Sequence, residues 1–174
     1  MKHSRKFYIG ASPLGLLSLS ACGMNDNVTS LSGNAVLGPL QSGIAFVDYD
    51  GSGTLNPASE PYAYTDAAGG FSLSSLSQNA KVVVTTSSVT AGGLPVNAID
   101  GSSGTALSGV TITGPSGASV LSPASTLLEK SSLTEAEVAK ALGLEGISLT
   151  EFNPYAAGVN ADNALAFEKV ATQV

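Results

Sequence analysis

Residues 43–73 read GIAFVDYDGSGTLNPASEPYAYTDAAGGFSL, and this stretch decides the fold. It opens with residues 44–47, apolar on both faces: Ile44 and Phe46 on one side, Ala45 and Val47, followed by Tyr49, on the other. A half-buried strand would keep one face polar, so this is the pattern of a central strand covered on both sides. A loop follows in which oxygen-bearing side chains stand at alternate positions: Asp48, Asp50, Ser52, Thr54 and Asn56, with Gly53 among them and Glu60 beyond. A second strand over residues 62–65 meets a tight turn, Asp66-Ala67-Ala68-Gly69-Gly70, before a third at residues 71–73.

Alternating oxygens around a sharp glycine turn suit a hard divalent cation, since calcium takes six to eight oxygen ligands at about 2.3–2.6 Å. The candidate ligands are Asp48, Asp50, Ser52, Thr54, Asn56 and Glu60, with Asp66 as a further candidate. In a twelve-residue loop counted from Asp48, the bidentate glutamate belongs at position 12, which here is Ser59; Glu60 comes one residue late. A one-residue bulge around Pro57-Ala58 would return Glu60 to the ion. Without it the loop weakens towards the millimolar affinities of extracellular modules. A competing reading needs no ion: Asp48 and Asp50 make Asx-turns and Glu60 is solvated. Tyr62 and Tyr64 share a face and offer either a sugar-stacking platform or, favoured in a chain without tryptophan, a core or strand-face role. A carboxylate pair for glycoside hydrolysis could be drawn from Asp48, Asp50, Glu60 and Asp66, but their clustering in one loop fits a cation better.

Outward from the hairpin, residues 34–40 begin the domain with Ala35, Leu37 and Leu40 apolar. Residues 81–85 (KVVVT) form a β-branched strand. Residues 91–109 are a long Gly/Ser-rich loop with one short strand around Val96. Residues 109–113 alternate with Val110 and Ile112 inward, 114–117 turn, and 118–121 close the sheet. About seven short strands spaced by turn signals make residues 34–122 a sandwich. At Pro123 the pattern changes to two or three helices, over residues 123–174. Ser122 caps the first, with Pro123 at its first position. Thr134 and Glu137 form a capping box for the second, stapled by Leu133 and Val138 and ended by Gly143. Asn160 caps a third, over residues 161–174, with Phe167, Val170, Ala171 and Val174 on one stripe. No glycine, proline or basic turn closes that helix. The expectation is that the chain continues or that the stripe packs against a partner.

The amino terminus is a targeting segment. Lys2, Arg5 and Lys6 precede a short apolar run over residues 7–19, too short to span a bilayer, and then Leu19-Ser20-Ala21-Cys22. This resembles the bacterial lipoprotein signal, cleaved after residue 21 with lipid on Cys22. An ordinary signal peptide or a short membrane anchor is the alternative. Residue 23 is glycine rather than aspartate, which leans towards the outer membrane. Residues 22–33 then form the lipidated cysteine and a flexible tether. The remaining 153 residues hold four lysines, no arginine and thirteen acids, a net charge of −9. Such a chain does not bind nucleic acid, which needs basic phosphate contacts. The only histidine, His3, lies in the signal, and no cysteine besides Cys22 exists. Ser-His-Asp and Cys-His catalysis, His/Cys zinc sites and internal disulfides are thereby excluded from the mature chain.

The residues Asp48, Asp50, Ser52, Gly53, Glu60, Pro61, Thr65, Asp66, Gly69 and Phe71 together resemble the signature of prealbumin-like modules. These include the carboxypeptidase regulatory-like domains and adhesin B-type repeats of bacterial surface proteins. The following SPASTLL run (122–128) and Leu142-Gly143-Leu144 resemble the helical tail that accompanies such modules. The resemblance implies an antiparallel Greek-key β-sandwich and a non-catalytic, lipid-anchored structural or adhesive module stabilised by Ca2+ at the cell envelope, in the outer membrane or on its surface. Two alternatives remain: a surface lipoprotein that binds a small ligand or carbohydrate, and a subunit of an extracellular filament or envelope assembly. The expected partners are the membrane, through the lipid on Cys22, and another copy or a surface protein, through the carboxy-terminal helix.

Overall fold

The computed structural model describes residues 28–89 and 92–173. The signal sequence, Cys22 and the first part of the tether lie outside them, as does Val174. Among the described residues the chain is mainly β, with nine strands followed by three helices. β1 (Thr29–Ala35) lies between β5 (Gly70–Ser75) and β9 (Val120–Leu121) in one sheet. β3 (Ile44–Val47), β4 (Tyr62–Tyr64), β6 (Val82–Thr85) and β8 (Thr111–Thr113) form the other, in the order β4-β3-β6-β8. A short ribbon of β2 (Leu40–Gln41) and β7 (Ile99–Asp100) joins them. The chain crosses between the two main sheets after β1, β4, β5 and β8. All strand pairs are antiparallel except β1 with β9, which run parallel with Ala35 opposite Leu121.

Each sheet follows from its pattern. In β5 the alternation puts Phe71, Leu73 and Ser75 inside and Ser72 and Ser74 outside. β1 answers with Leu31 opposite Leu73 and Gly33 opposite Phe71. A Cβ on Gly33 would lie 2.7 Å from Phe71 Cζ and 2.5 Å from the Ser119 carbonyl, so only glycine lets the ring and the next strand approach. The tether expected to reach residue 33 is therefore shorter. Ser30 and Ser32 are the outward, solvent-facing positions of a strand that shows only one large inward side chain, Leu31, and so lacks an apolar signature. The short strand expected around Val96 falls instead at β7, and the count exceeds seven because β2 and β7 are two-residue strands.

Both faces of β3 are buried, as its sequence requires. Ala45 and Val47 meet Phe71, Leu73, Val82, Val84, Ile112 and Leu121 in the core between the sheets. Ile44 and Phe46 point the other way, onto Val83, and are covered by Leu55, Val89, Leu94 and Val96. Full burial of each such side chain contributes about 1.5–3 kcal/mol. Tyr62 and Tyr64 stand on the outer side of β4, both exposed, with Tyr64 Oη donating to the Pro95 carbonyl at 3.0 Å. They are strand-face residues and take no part in the core, because β4 is an edge strand whose inward position belongs to Ala63.

The helices cover the outer face of the β1–β9 seam. α1 (Pro123–Lys130) is capped by Ser122, with Ser125 returning the bond. Ser125 Oγ also donates to the Thr113 carbonyl at 2.7 Å, which ties the helix start to the edge of the other sheet. α2 (Glu135–Leu142) has the expected Thr134/Glu137 box and ends at Gly143, whose φ of 68° is left-handed. Leu133, expected to staple onto Val138, is exposed, whereas Val138 is buried. Asn160 Oδ1 accepts from the amides of Asp162 and Asn163 and starts α3 (Ala161–Gln173). Within the stripe of α3, Phe167 and Ala171 find their cover in the same chain. Phe167 is buried with Val36, Val120, Val138 and Leu149, its ring 5.6 Å from that of Phe152.

Candidate metal centre

The loop over residues 48–60 leaves the end of β3 and returns into β4. Its base is fixed by the backbone: the Val47 amide donates to the Pro61 carbonyl and the Asp48 amide to that of Lys81, both at 3.0 Å. Its middle is pinned by Leu55, buried against Ile44, Phe46 and Val83. Between these anchors Gly51 and Gly53 adopt φ of 73° and 69°, which turn the chain back over Asp48. The Gly53 amide donates to Asp48 Oδ2 at 3.1 Å, and the Ser52 amide to Asp50 Oδ1 at 2.9 Å.

Glu60 reaches the same place despite its late position. The amides of Ser59 and Glu60 both donate to the Asn56 carbonyl, at 3.1 and 2.9 Å, so a single helical turn at Pro57-Ala58 absorbs the extra residue. Glu60 is buried, and its two oxygens accept from the amides of Tyr49 at 3.0 Å and Asn56 at 2.8 Å. Asp48, Asp50 and Glu60 each then offer a carboxylate oxygen, all within 4.8 Å of one another. Asp48 and Glu60 are buried and Asp50 is exposed, which leaves the cluster open on one side.

The charge is not answered by protein. Among the described residues the ion pair is Lys81 with Glu129, at 2.8 Å; Lys81 and Lys130 line the same cavity as Asp48, but neither forms an ion pair with the trio. Asp48, 6 % exposed, keeps Oδ1 buried with no hydrogen-bond partner. A buried carboxylate oxygen left without a donor or cation costs on the order of 1–3 kcal/mol or more. The Ser52 hydroxyl and amide hold the Asp50 carboxyl below its ordinary value, so it stays ionised into mild acid. An oxygen-only set with one unsatisfied, buried atom can take a hard divalent ion.

The other expected ligands divide. Ser52 Oγ and Asn56 Oδ1 are engaged locally, the first with the Thr54 backbone and the second with the Ala58 amide at 3.2 Å. The Thr54 carbonyl accepts from Ser52 Oγ at 3.0 Å. Asp66 does not join them. It sits beyond the far end of β4, where Oδ1 accepts from the amides of Ala68 at 2.8 Å and Gly70 at 2.7 Å, and closes that turn. Cys22 lies outside the described residues. Sequence reasoning missed Leu55, whose isolation in a polar loop was the available signal. It also missed Tyr49, whose hydroxyl accepts from the Leu76 amide at 3.1 Å and meets Ser75 Oγ at 3.4 Å. Comparison with protein-family models, curated proteins and solved structures returns no match.

Proposed function

We propose that the chain is a non-catalytic, lipid-anchored module of the bacterial cell envelope, structural or adhesive in role, whose sandwich is stabilised by one calcium ion in the 48–60 loop. The observation that carries the metal reading is the buried Asp48 Oδ1, unpartnered beside two further carboxylates. Calcium, rather than zinc or copper, suits donors that are all oxygen. The resemblance to prealbumin-like surface modules and the lipoprotein-type signal ending at Cys22 support the placement at the envelope. The test is thermal unfolding of the mature protein in millimolar calcium and then in chelator. Ligand binding to the native state raises the melting temperature in proportion to RT ln(1 + [L]/Kd), so the parent gains several degrees and Asp50→Ala gains none. Equal melting in calcium and chelator sinks the reading.

A second reading, capture of a small apolar ligand, is favoured by a cleft of about 590 Å³ between β8, α1 and α3, lined by Leu37, Leu107, Val110, Leu127 and Ala171. A fluorescent apolar dye displaced from the native protein would support it. No dye binding would leave the structural role alone.

A further inference from the structure

The metal loop and the point where the chain enters the domain occupy the same pole. β1 starts opposite the end of β5, with Thr29 facing Ser75. Tyr49, between the ligands Asp48 and Asp50, is bonded through its hydroxyl to Ser75 and Leu76. Two large apolar side chains project from this pole: Leu76 is 68 % exposed and Val28 59 %, and they line one shallow cleft with Thr29 and Gln78. Tyr49 adds a half-exposed ring. Exposed aliphatic side chains grouped beside an amphipathic ring are suited to an interface, where the rings sit at headgroup level. Cys22 precedes Val28 by six residues, which span at most about 20 Å when extended. A lipid on Cys22 therefore holds this pole, and not the Asp66 turn at the far end, close to the bilayer.

Charge sets the condition. Asp48, Asp50 and Glu60 bring three carboxylates to the pole; of the two lysines that line the same cavity as Asp48, Lys81 is paired with Glu129 and Lys130 makes no ion pair with the trio, so the bare loop keeps a net negative charge that phosphate-bearing lipids repel. An ion held by the trio cancels most of that charge, and the exposed side of the site at Asp50 lets the ion accept a further oxygen ligand.

We propose that this pole is a metal-dependent docking surface for phosphate-bearing lipids, with Leu76 and Val28 entering the interface and the ion at Asp48, Asp50 and Glu60 facing the headgroups. The proposal rests on the lipid-anchor and metal readings above. The chain contains no tryptophan, so single probes are clean. Leu76→Trp reports the loop pole, and Ala67→Trp, on the exposed turn at the other end, is its control. Each mature lipidated protein is reconstituted into phosphatidylethanolamine/phosphatidylglycerol vesicles whose acyl chains are brominated. Side chains that enter the headgroup boundary by roughly 5–10 Å meet the quencher, so Leu76→Trp should lose emission about twofold in millimolar calcium and recover it in chelator, with Ala67→Trp unchanged. No quenching of Leu76→Trp, or quenching that ignores the chelator, overturns the docking. A calcium thermal shift on the same sample tells which premise failed. A shift without quenching leaves the metal site standing and removes only the docking. No shift removes the metal site and the docking together. Protein that vesicles do not retain removes the anchor and the docking with it.

Discussion

At the residue scale, the two buried carboxylates of the loop behave in opposite ways. Glu60 is fully engaged by the Tyr49 and Asn56 amides, so Glu60→Gln would set an amide donor against one of them. That variant should lose about 1–3 kcal/mol in denaturant unfolding in chelator, and more in calcium, where a ligand carboxylate is removed as well. Asp48 has only the Gly53 amide on Oδ2, and its Oδ1 carries uncompensated charge. Asp48→Asn should therefore melt no lower than the parent in chelator, yet fall below it in calcium, a crossover visible in paired thermal scans. Acid should act on the loop through Asp50. The Asp50 carboxyl is lowered by the Ser52 hydroxyl and amide, so its contribution is present above the unfolded-state pKa and is lost as pH falls through the lower, folded value. The contribution of Asp50 to the calcium-dependent gain in melting temperature should hold at mildly acidic pH and be lost only below the ordinary aspartate value of about 3.9.

At the element scale, the helices were the most legible part of the chain, because their ends are written locally. Thr134 Oγ1 accepts from the Glu137 amide while Glu137 Oε2 accepts from the Thr134 amide at 2.8 Å. Thr134→Ala should cost about 1 kcal/mol, read as a lowered denaturant midpoint with unchanged slope. Glu135 does more than favour a helix start: Oε1 accepts from the Leu149 amide at 2.7 Å and Ser148 Oγ at 3.1 Å, which shapes the segment after α2. Nothing in the local sequence announces that bond, since Glu135 and Leu149 are brought together only by packing. β1 was hidden for a similar reason. A strand whose outward positions are serines and whose inward side has a single large residue, Leu31, before Gly33 has no periodic apolar signal, and its partners Phe71 and Ser119 are distant in sequence. The loop lay between these cases. Its ligand types and glycines could be read directly, but the delivery of Glu60 depended on a turn at Pro57-Ala58 that only the folded backbone settles.

At the scale of the whole molecule, the sandwich and the helices share residues and should unfold together. Val36 and Val120, next to core residues Ala35 and Leu121, belong to the cluster that buries Phe167. Phe167→Ala should cost about 3–5 kcal/mol, and far-ultraviolet and tyrosine signals should shift by the same amount in one transition. Separate transitions would mean that residues 123–173 fold on their own. Of the carboxy-terminal stripe, expected either to continue into further chain or to meet a partner, Phe167 and Ala171 are covered within the chain, where Phe152 and the segment around Leu149 close over Phe167.

The parallel pairing of β1 with β9 sets a timetable. The opening strand can zip to β5 once residue 75 is made, but its other margin stays bare until Leu121 has been synthesised. Closure of the β1–β9 seam is thus a late, long-range event that short local contacts cannot hasten. A polypeptide delayed in this way remains threadable while most of it is being produced, and its last act of assembly draws the two ends of the β-domain side by side.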